Sequence, residues 1–208
     1  MRIVTANEWQ LWLAQGKVLE KDSRGPKVLL LENGQLLKIF RPRRRFWLAR
    51  LQPQARRFEL NAEQLLSRGL QVPRIHECFW LDKAEAVSAC LYAPLPGRSL
   101  EQLYKESRAD FTQRLPAFAA YIRELHQRGV YFRSLHLGNV LQLPMGGFGL
   151  IDFLDIRLSK RPLPERLIRR NLEHLRNYLR RSKITDFPWE ELIEAYRASC
   201  PVAMHPHN

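Results

Sequence analysis

The sequence lacks a long hydrophobic run, a cysteine motif and a glycine-rich loop. No apolar run approaches the ~18 to 20 residues that a membrane span requires, and the N-terminal segment MRIVTANEWQ lacks the apolar stretch of a signal peptide. The cysteines, Cys78, Cys90 and Cys200, are widely spaced without a CxxC pattern, which argues against a disulfide framework and against a zinc site. We therefore expect a cytoplasmic protein whose cysteines are buried free thiols.

Apolar residues are abundant enough for a folded core. The 208 residues are 45% hydrophobic and include five Trp and ten Phe, so the chain can form one substantial domain or two small lobes. The net charge of +13 indicates a basic surface, which attracts nucleic acid, anionic lipid or phosphorylated ligands alike. Charge alone does not choose among these partners.

The densest basic run is RPRRR at residues 41–45, which Phe46 and Trp47 follow directly. Basic residues beside aromatic ones suit contact with an anionic membrane surface or a phosphate clamp. A solvated connection after a strand explains the same run equally well.

The first half of the chain is predicted to be rich in strands. An opening helix is predicted at residues 7–15. The segments KVLLL and QLLKIF flank Glu32-Asn33-Gly34, a hairpin signal that puts Lys38 on the second strand. Three further elements are predicted in this half: a helix at residues 53–68 and strands at residues 71–82 and 84–95.

The second half is predicted to be mostly helical. Pro94, Pro96 and Gly97 break the strand pattern before Ser99, a predicted N-cap for the helix that begins SLEQLY. The other predicted elements are a helix at residues 111–128, short strands in NVLQL and FGLIDF, and helices over residues 164–199 with a break at residues 186–188. We therefore expect an α+β fold with a strand-rich lobe (residues 1–93), a hinge, and a helical lobe (residues 94–208).

Four residue types occur in the order in which ATP-dependent phosphoryl transfer uses them. A lysine on an inner strand, Lys38, can neutralise nucleotide phosphates, and a carboxylate on the following helix can hold that lysine in place. That carboxylate is Glu59 or Glu63, which share a helix face. Later, Asn139 can ligate a metal ion, and Asp152, 13 residues further on, can hold Mg²⁺ between phosphates.

These segments resemble the protein-kinase-like superfamily, in particular the bacterial lipopolysaccharide core kinases of the Kdo and heptose group and the short toluene tolerance proteins. LHLGNVLQL with GLIDFLDIRL is similar to the family's catalytic and metal loops, and LLKIF to its lysine strand. LYAPLPGRSLEQL is similar to the family's hinge, and NLEHLRNYLRR to its closing helix. The resemblance covers most of the chain.

The resemblance implies a bilobal, protein-kinase-like fold of reduced size and a phosphotransferase that uses ATP and Mg²⁺. It implies cofactor-binding roles for Lys38, for the hinge residue Ala93 and for the helix carboxylate, for which we favour Glu59. It also implies metal-binding roles for Asn139 and Asp152. The implied acceptor is a sugar hydroxyl of the lipopolysaccharide core, which is anionic and attached to a membrane.

The predicted phosphate-covering loop departs from the family pattern, because it is not glycine-rich. The segment KDSRGPK offers only Gly25, which Pro26 follows, so fewer backbone N–H groups can bind phosphate. The side chains of Ser23, Arg24 or Lys27 are expected to substitute for them.

The larger departure is Ser134, which stands five residues before Asn139, where the kinase loop has its catalytic Asp. A serine hydroxyl cannot act as a base near neutral pH, so the change should cost roughly 10² to 10⁴-fold in rate. Another carboxylate such as Asp155 could compensate in part. We expect His136, in the same loop, to bond the loop backbone.

Three functions stay open on the sequence. The first is a kinase acting on the lipopolysaccharide core saccharide, and the intact metal-binding pair slightly favours it. The second is a pseudokinase that binds a partner such as an envelope assembly protein, which Ser134 favours. A basic nucleic-acid-binding protein is the weakest, because no binding motif is recognisable. The expected location is the cytoplasm, with peripheral contact at the inner face of the inner membrane as one option.

Overall fold

The computed structural model describes residues 1–42 and 46–199, and these divide into two compact units. The N-terminal unit is Met1–Leu95, and the C-terminal unit begins at Pro96. Cys200 and residues 43–45 of the basic run lie outside the described residues.

The N-terminal unit is built on a five-stranded antiparallel sheet. Its strands are β1 (Lys17–Asp22), β2 (Gly25–Leu30), β3 (Leu36–Phe40), β4 (Ile75–Asp82) and β5 (Val87–Tyr92). Its helices are α1 (Ala6–Gln15), α2 (Phe46–Leu51) and α3 (Gln54–Leu66). The strand order β1-β2-β3-β5-β4 puts β3 in the middle of the sheet.

The two faces of β3 have different neighbours. Leu37 and Ile39 are buried in a cluster with Phe79, on which Trp12 of α1 packs with ring centroids 5.1 Å apart. Successive strand residues face opposite sides of a sheet, so Lys38 points to the other face. That face is covered by α3, whose Phe58 lies within reach of the Lys38 side chain.

The C-terminal unit is mainly helical and holds two small antiparallel sheets, β6-β8-β9 and β7-β10. Its helices are α4 (Leu100–Glu106), α5 (Arg108–Gln127), α6 (Glu165–Arg181) and α7 (Trp189–Ala198). Its strands are β6 (Arg98–Ser99), β7 (Val130–Phe132), β8 (Val140–Gln142), β9 (Phe148–Leu150) and β10 (Ile156–Leu158).

Serine caps start the first two helices of this unit. The Ser99 hydroxyl accepts a hydrogen bond from the Gln102 N–H, and the Gln102 side chain accepts one from the Ser99 N–H, so α4 begins with a capping box. The Ser107 hydroxyl caps α5 by accepting a hydrogen bond from the Asp110 N–H at 3.2 Å. Both caps satisfy backbone donors that have no partner inside the helix.

Helix α6 buries a narrow seam and exposes a basic face. Asn171, Leu175 and Leu179 are buried at a spacing of four residues. Its exposed arginines are Arg166, Arg169, Arg170, Arg176, Arg180 and Arg181. The seam packs this helix against the strand β7 and the loop that follows it.

The structure confirms the predicted α+β class and most predicted elements. The helices predicted at residues 7–15, 53–68 and 111–128 are α1, α3 and α5, and residues 164–199 form α6 and α7. The three-residue strands β7 and β10 and the helix α2 were not predicted, because such short segments carry no periodic signal. Within residues 1–42 and 46–199, no helix has the length and hydropathy to cross a bilayer.

Candidate active site

The loop between β7 and β8 is held by a hydrogen bond between two of its own residues. Asn139 is buried at the end of a short 3₁₀ turn, and its Nδ2 donates a hydrogen bond to the Ser134 carbonyl oxygen at 3.0 Å. The Asn139 N–H donates to the His136 carbonyl oxygen, also at 3.0 Å. These bonds hold Ser134, which is half-buried, in a fixed relation to Asn139. The amide oxygen of Asn139 is left to accept from a ligand.

Asp152 lies at the same end of the β8–β9 pair as Asn139. Val140 pairs with Leu150, and the Ile151 N–H donates to the Asn139 carbonyl oxygen at 3.0 Å, so Asp152 directly follows this contact. Its side chain is exposed, and its backbone is left-handed, with φ 53° and ψ 43°. A non-glycine residue adopts this conformation uncommonly, and such residues cluster at functional sites.

The His136 ring is packed rather than exposed. Its Nδ1 accepts a hydrogen bond from the Gly138 N–H at 3.2 Å, and the ring stacks on Tyr178 of α6 with centroids 4.4 Å apart. Burial lowers the pKa of His136, and the charges of Glu101 and Asp152 work against that lowering. The neutral ring is therefore favoured, which suits the structural role expected for it.

Gly138 lies where the loop passes α4. A Cβ at this position would lie 2.9 Å from the Glu101 carboxylate and 3.2 Å from the His136 ring. A side chain here would displace the Glu101 carboxylate, which is the end of a flexible side chain, and would crowd the His136 ring.

A buried polar network holds the backbone just before Ser134, and sequence reasoning missed it. Asn171 of α6 donates from Nδ2 to the Phe132 carbonyl oxygen at 2.6 Å, and its Oδ1 accepts from the Phe132 N–H at 3.3 Å. His126 Nε2 lies 3.2 Å from the same Oδ1, and His126 Nδ1 lies 2.8 Å from the Tyr196 hydroxyl. Since Oδ1 only accepts, the proton is on Nε2, and Tyr196 donates to Nδ1.

This network keeps its histidine neutral. His126 is 1% exposed, and burial lowers its pKa from 6.5 to about 4, against the opposing effect of the Asn171 hydrogen bond. The signal that could have found the network is Asn171 itself. It falls in register with Leu175 and Leu179 on the buried side of an arginine-rich helix, where a polar residue needs a partner.

Asp155 and Ser134 lie beyond the same end of the β7–β10 pair. Ile156 pairs with Phe132 in antiparallel register, so the residue before Ile156 and the residues after Phe132 leave the pair together. Asp155 is exposed. The register thus brings a second carboxylate to the neighbourhood of the loop that carries Ser134.

In the N-terminal unit, Lys38 lies between β2 and β5 in the centre of the sheet. It is half-buried, pairs with Val28 and with Cys90, and its Nζ lies 5.6 Å from the centroid of the Phe58 ring. A cation over an aromatic face is stabilised by the ring's negative potential. The side chain is therefore held on the α3 face of the sheet.

Glu59 lies on the part of α3 that is near Lys38. Burial raises the pKa of the Cys90 thiol, its hydrogen bond with Cys78 adds to this, and the charges of Lys38 and Glu59 act on it in opposite directions. Both charged side chains are thus close to one thiol. Glu59 also pairs with Arg56 one turn earlier, whereas Glu63 is exposed.

The predicted phosphate-covering segment forms the turn between β1 and β2. Asp22 pairs with Gly25, whose φ is 111°, so Ser23 and Arg24 form the turn. The Arg24 guanidinium donates to the carbonyl oxygens of Arg41 and Pro42, both at 3.2 Å. Lys27, on β2, pairs with Glu20 on β1. The side chains expected to substitute for glycine N–H groups are thus engaged with the protein itself, apart from Ser23, which is exposed.

Ala93 follows the last residue of β5 and is exposed. It lies on the segment that runs out of the sheet toward the end of the N-terminal unit at Leu95. The cofactor-binding role of Ala93 as a hinge residue stays a prediction.

Residues 20–196 match the model of the lipopolysaccharide kinase (Kdo/WaaP) family. The chain belongs to this family. A comparison with curated proteins found no match. The matched range includes all of the predicted site residues, from Gly25 to Asp152. The assignment to the toluene tolerance branch stays a prediction.

Membership in the lipopolysaccharide kinase family gives the protein a kinase-like function related to lipopolysaccharide. A kinase implies ATP and a divalent cation, and this family implies a saccharide substrate. Among the described residues, no group of three or more His, Cys, Asp or Glu side chains could hold a metal ion. Mg²⁺ in phosphotransferases is commonly held by one or two protein oxygens plus substrate phosphates, so the Asn139 amide and the Asp152 carboxylate fit such an ion.

Each unit of this lipopolysaccharide kinase family member brings together part of the predicted site. In the C-terminal unit, Ser134, Asn139 and Asp152 meet at the end of the β8–β9 pair. In the N-terminal unit, Lys38 and Glu59 lie near Cys90. Gly25 and Lys27 lie on the β1–β2 hairpin, and Ala93 follows β5.

Proposed function

We propose that this protein is an ATP- and Mg²⁺-dependent phosphotransferase that phosphorylates a sugar hydroxyl of the lipopolysaccharide inner core. The observation that carries the proposal is the closed loop of the C-terminal unit. Asn139 holds the Ser134 carbonyl, and the exposed, left-handed Asp152 follows at the same strand end. This arrangement supports a metal–phosphate site whose backbone is held by hydrogen bonds within the protein itself.

The residues divide the work of binding and charge neutralisation. Asn139 and Asp152 would hold Mg²⁺, which when bound neutralises charge on the nucleotide phosphates. Lys38 binds phosphate oxygens, and Glu59 orients the lysine. Gly25 gives the β1–β2 turn its shape, Lys27 adds positive charge to it, and Ala93 contacts the nucleotide base through its backbone. Phosphoryl transfer depends mainly on positioning and charge, so this set covers most of what it needs.

Ser134 leaves the acceptor hydroxyl without the usual base. The absence of that base lowers the rate of phosphate transfer by roughly 10² to 10⁴-fold, which slows a kinase without abolishing transfer. Asp155 supplies a carboxylate beyond the same end of the β7–β10 pair, and we propose that it accepts the acceptor proton. The loose transition state of phosphoryl transfer makes late proton removal acceptable.

A second function, a pseudokinase that acts by binding an envelope assembly protein, is favoured by two observations. Position 134 carries no acid. In the β1–β2 turn, Arg24 is bonded to backbone carbonyls and Lys27 to Glu20, so neither is available to phosphate without rearrangement.

The decisive experiment measures nucleotide binding and phosphate transfer on the same samples. The full chain is titrated with ATP plus Mg²⁺ by calorimetry, and ³²P transfer from ATP to dephosphorylated core saccharide is then measured. The variants are Asp152→Ala and Lys38→Ala, with Lys17→Ala, an exposed lysine on β1 outside the predicted phosphate-covering segment, as the matched control.

The outcomes separate the two functions. Transfer that Asp152→Ala abolishes and Lys17→Ala leaves intact supports the phosphotransferase. Nucleotide binding without transfer supports the pseudokinase. If the protein neither binds the nucleotide nor transfers phosphate, every nucleotide-dependent version of the proposal is contradicted.

We further propose that the protein contacts the anionic inner face of the inner membrane, where its acceptor lies. Helix α2 exposes Trp47 by 66% and Leu51 by 77%, and the basic run precedes it in sequence. An exposed apolar and basic segment binds interfaces enriched in anionic lipid. Co-sedimentation with phosphatidylglycerol vesicles should fall in Trp47→Ser/Leu51→Ser. The control Leu11→Ser changes an exposed leucine on α1, which is 52% accessible, and an equal loss there would contradict the proposal.

A further inference from the structure

Helix α6 runs beside β7 and the loop that follows it, and contacts this stretch at three points. Asn171 bonds the Phe132 backbone, His174 Nε2 lies 3.0 Å from the Tyr131 hydroxyl, and Tyr178 stacks on His136. Positions 171, 174 and 178 share one face of a helix because they are three and four residues apart. The stretch from Tyr131 on β7 to His136 in the loop therefore follows this face.

Three exposed arginines border this contact. Arg170 lies one turn before His174 on the same side of α6, and Arg181 lies about two turns after it. Arg133 comes from the loop itself, between Phe132 and Ser134. Burial lowers the pKa of His174, and the positive charges of Arg170, Arg133 and Arg181 lower it further, against the opposing charge of Glu173. The three guanidinium charges thus converge on one histidine from two elements.

These arginines have no anion of their own within the described residues 1–42 and 46–199. None of the three forms an ion pair or a side-chain hydrogen bond there, whereas Arg98, Arg108 and Arg128 of the same unit each pair with a carboxylate. Like charges gathered without a counter-ion repel each other, and a bound oxyanion relieves that repulsion. Guanidinium groups also match oxyanions geometrically, through paired N–H donors.

We infer that Arg133, Arg170 and Arg181 form an anion subsite beside the catalytic loop, which binds a phosphate or carboxylate group carried by the acceptor molecule. The subsite lies next to Ser134 in sequence and in the fold, so an anion bound there would fix the acceptor close to the loop. This role in acceptor recognition rests on the proposed phosphotransferase function. Binding of the anion itself does not depend on it.

The subsite is tested with inorganic phosphate, without nucleotide. The His174 ring is followed by NMR during titration of the full chain with sodium phosphate, against sodium chloride at equal ionic strength. Phosphate should bind saturably and raise the pKa of His174, because it neutralises the arginine charges that lower it. Sodium acetate and phosphatidylglycerol vesicles are two further arms, which distinguish a carboxylate and a lipid headgroup from a free phosphate.

The helix offers a matched control. Arg169→Gln/Arg180→Gln removes two exposed arginines one residue away from the subsite pair, about 100° around the helix. Arg170→Gln/Arg181→Gln should weaken phosphate binding by about a hundredfold, since two charge-assisted contacts are lost and each is worth about a factor of ten. The control should bind phosphate as the unchanged protein does.

The inference is overturned if phosphate changes His174 no more than chloride does, or if both double variants lose binding equally. Binding of vesicles without binding of phosphate or acetate would also overturn the acceptor subsite, in favour of a lipid surface. Phosphate binding in a protein that transfers no phosphate from ATP would refute the phosphotransferase and leave the subsite intact. Phosphate transfer from ATP in a protein that does not bind inorganic phosphate would refute the subsite and leave the phosphotransferase intact.

Discussion

The two units depart from a complete kinase site in different ways. In the C-terminal unit, the loop backbone is held by the Asn139–Ser134 and Asn171–Phe132 hydrogen bonds, and Ser134 stands where we expect the catalytic acid. In the N-terminal unit, Lys38 is held on the sheet, but the turn at Ser23 and Arg24 has few backbone donors for phosphate. The C-terminal unit thus keeps the expected loop backbone and differs in one side chain. The N-terminal unit keeps Lys38 and differs in the backbone donors of its turn. The first kind of loss is the easier one to repair by substitution.

The largest expected effect separates the metal-binding unit from the lysine-bearing unit. Asp152→Asn removes a charge and keeps a residue that tolerates the left-handed backbone, so transfer should fall by roughly 10³-fold or more. Its affinity for ATP without Mg²⁺ should not change. Lys38→Ala should weaken ATP binding with or without Mg²⁺. Calorimetry in the presence of Mg²⁺ or of a chelator checks both, and an equal Mg²⁺ dependence in the two variants would break the comparison.

Restoring the acid tests whether the C-terminal unit lacks only one group. Ser134→Asp should raise turnover by about 10²-fold, because the loop already positions residue 134 and a positioned base contributes this much. The initial rate of ³²P transfer is the measurement, and Ser134→Asn is the isosteric control without a base. Asp155→Asn should lower the rate in the natural sequence and have little effect once Ser134→Asp is present. An unchanged rate in Ser134→Asp means that more than the base is missing.

The frame of the C-terminal unit depends on Asn171. Asn171→Ala leaves the buried N–H and carbonyl of Phe132 without partners and should lower the free energy of unfolding by about 2–4 kcal/mol. Asn177→Ala, a half-buried asparagine on the same helix, is the control and should cost less than about 1 kcal/mol. Urea denaturation followed by circular dichroism measures both, and a similar loss for the two variants would contradict the role of Asn171.

The C-terminal unit should also be the acid-sensitive one. The pKa of His126 is lowered from 6.5 to about 4, so over this range the unfolded chain binds a proton that the folded chain does not. The free energy of unfolding should therefore fall as the pH falls, by about 3 kcal/mol over the whole range. His136 and His174, whose pKa values are also lowered by burial, add to this slope.

Hydrogen exchange at pH 7 and pH 5.5 compares the units directly. Protection of α5 should fall at the lower pH relative to that of β3, after correction for the intrinsic exchange rate. His126→Gln should reduce the difference, and His76→Gln, in the N-terminal unit, should leave it unchanged. Equal loss of protection in both units would count against a local acid response.

The smallest expected effect concerns the charge around His174. Arg170→Gln should raise the pKa of His174 even without an added anion, because the Arg170 charge is the largest electrostatic contribution to its lowering. Arg169→Gln, one residue away on the same helix, should change it less. NMR titration of the His174 ring measures the difference. An equal change of the His174 pKa in the two variants would contradict the specific effect of the Arg170 charge.

The sequence predicted the long helices and the hairpin that carries Lys38 better than the short strands. Periodicity found α3, α5 and α6 because their apolar faces are long, and the Asn-Gly signal found the β2–β3 hairpin that carries Lys38. The strands β7 and β10 escaped because three residues have no period. Their antiparallel pairing places Asp155 beyond the same end of the β7–β10 pair as Ser134, and no local sequence pattern encodes that pairing.

The loop motif predicted the candidate site, but not what holds it. The spacing of Ser134, Asn139 and Asp152 was enough to propose a catalytic and metal-binding group. The network of Asn171, His126 and Tyr196 joins residues 45 and 70 positions apart, so it depends on tertiary packing that a linear pattern does not contain. The engagement of Arg24 and Lys27 by neighbouring strands was likewise a matter of packing.

The bond from Asn139 to residue 134 has an evolutionary consequence, because it ends on a main-chain carbonyl. Every amino acid offers that carbonyl, so the course of the loop does not depend on the side chain at this position. The exchange between serine and an acid that we propose for position 134 would therefore leave this hydrogen bond in place. In this chain, catalytic competence and structural integrity can be selected separately.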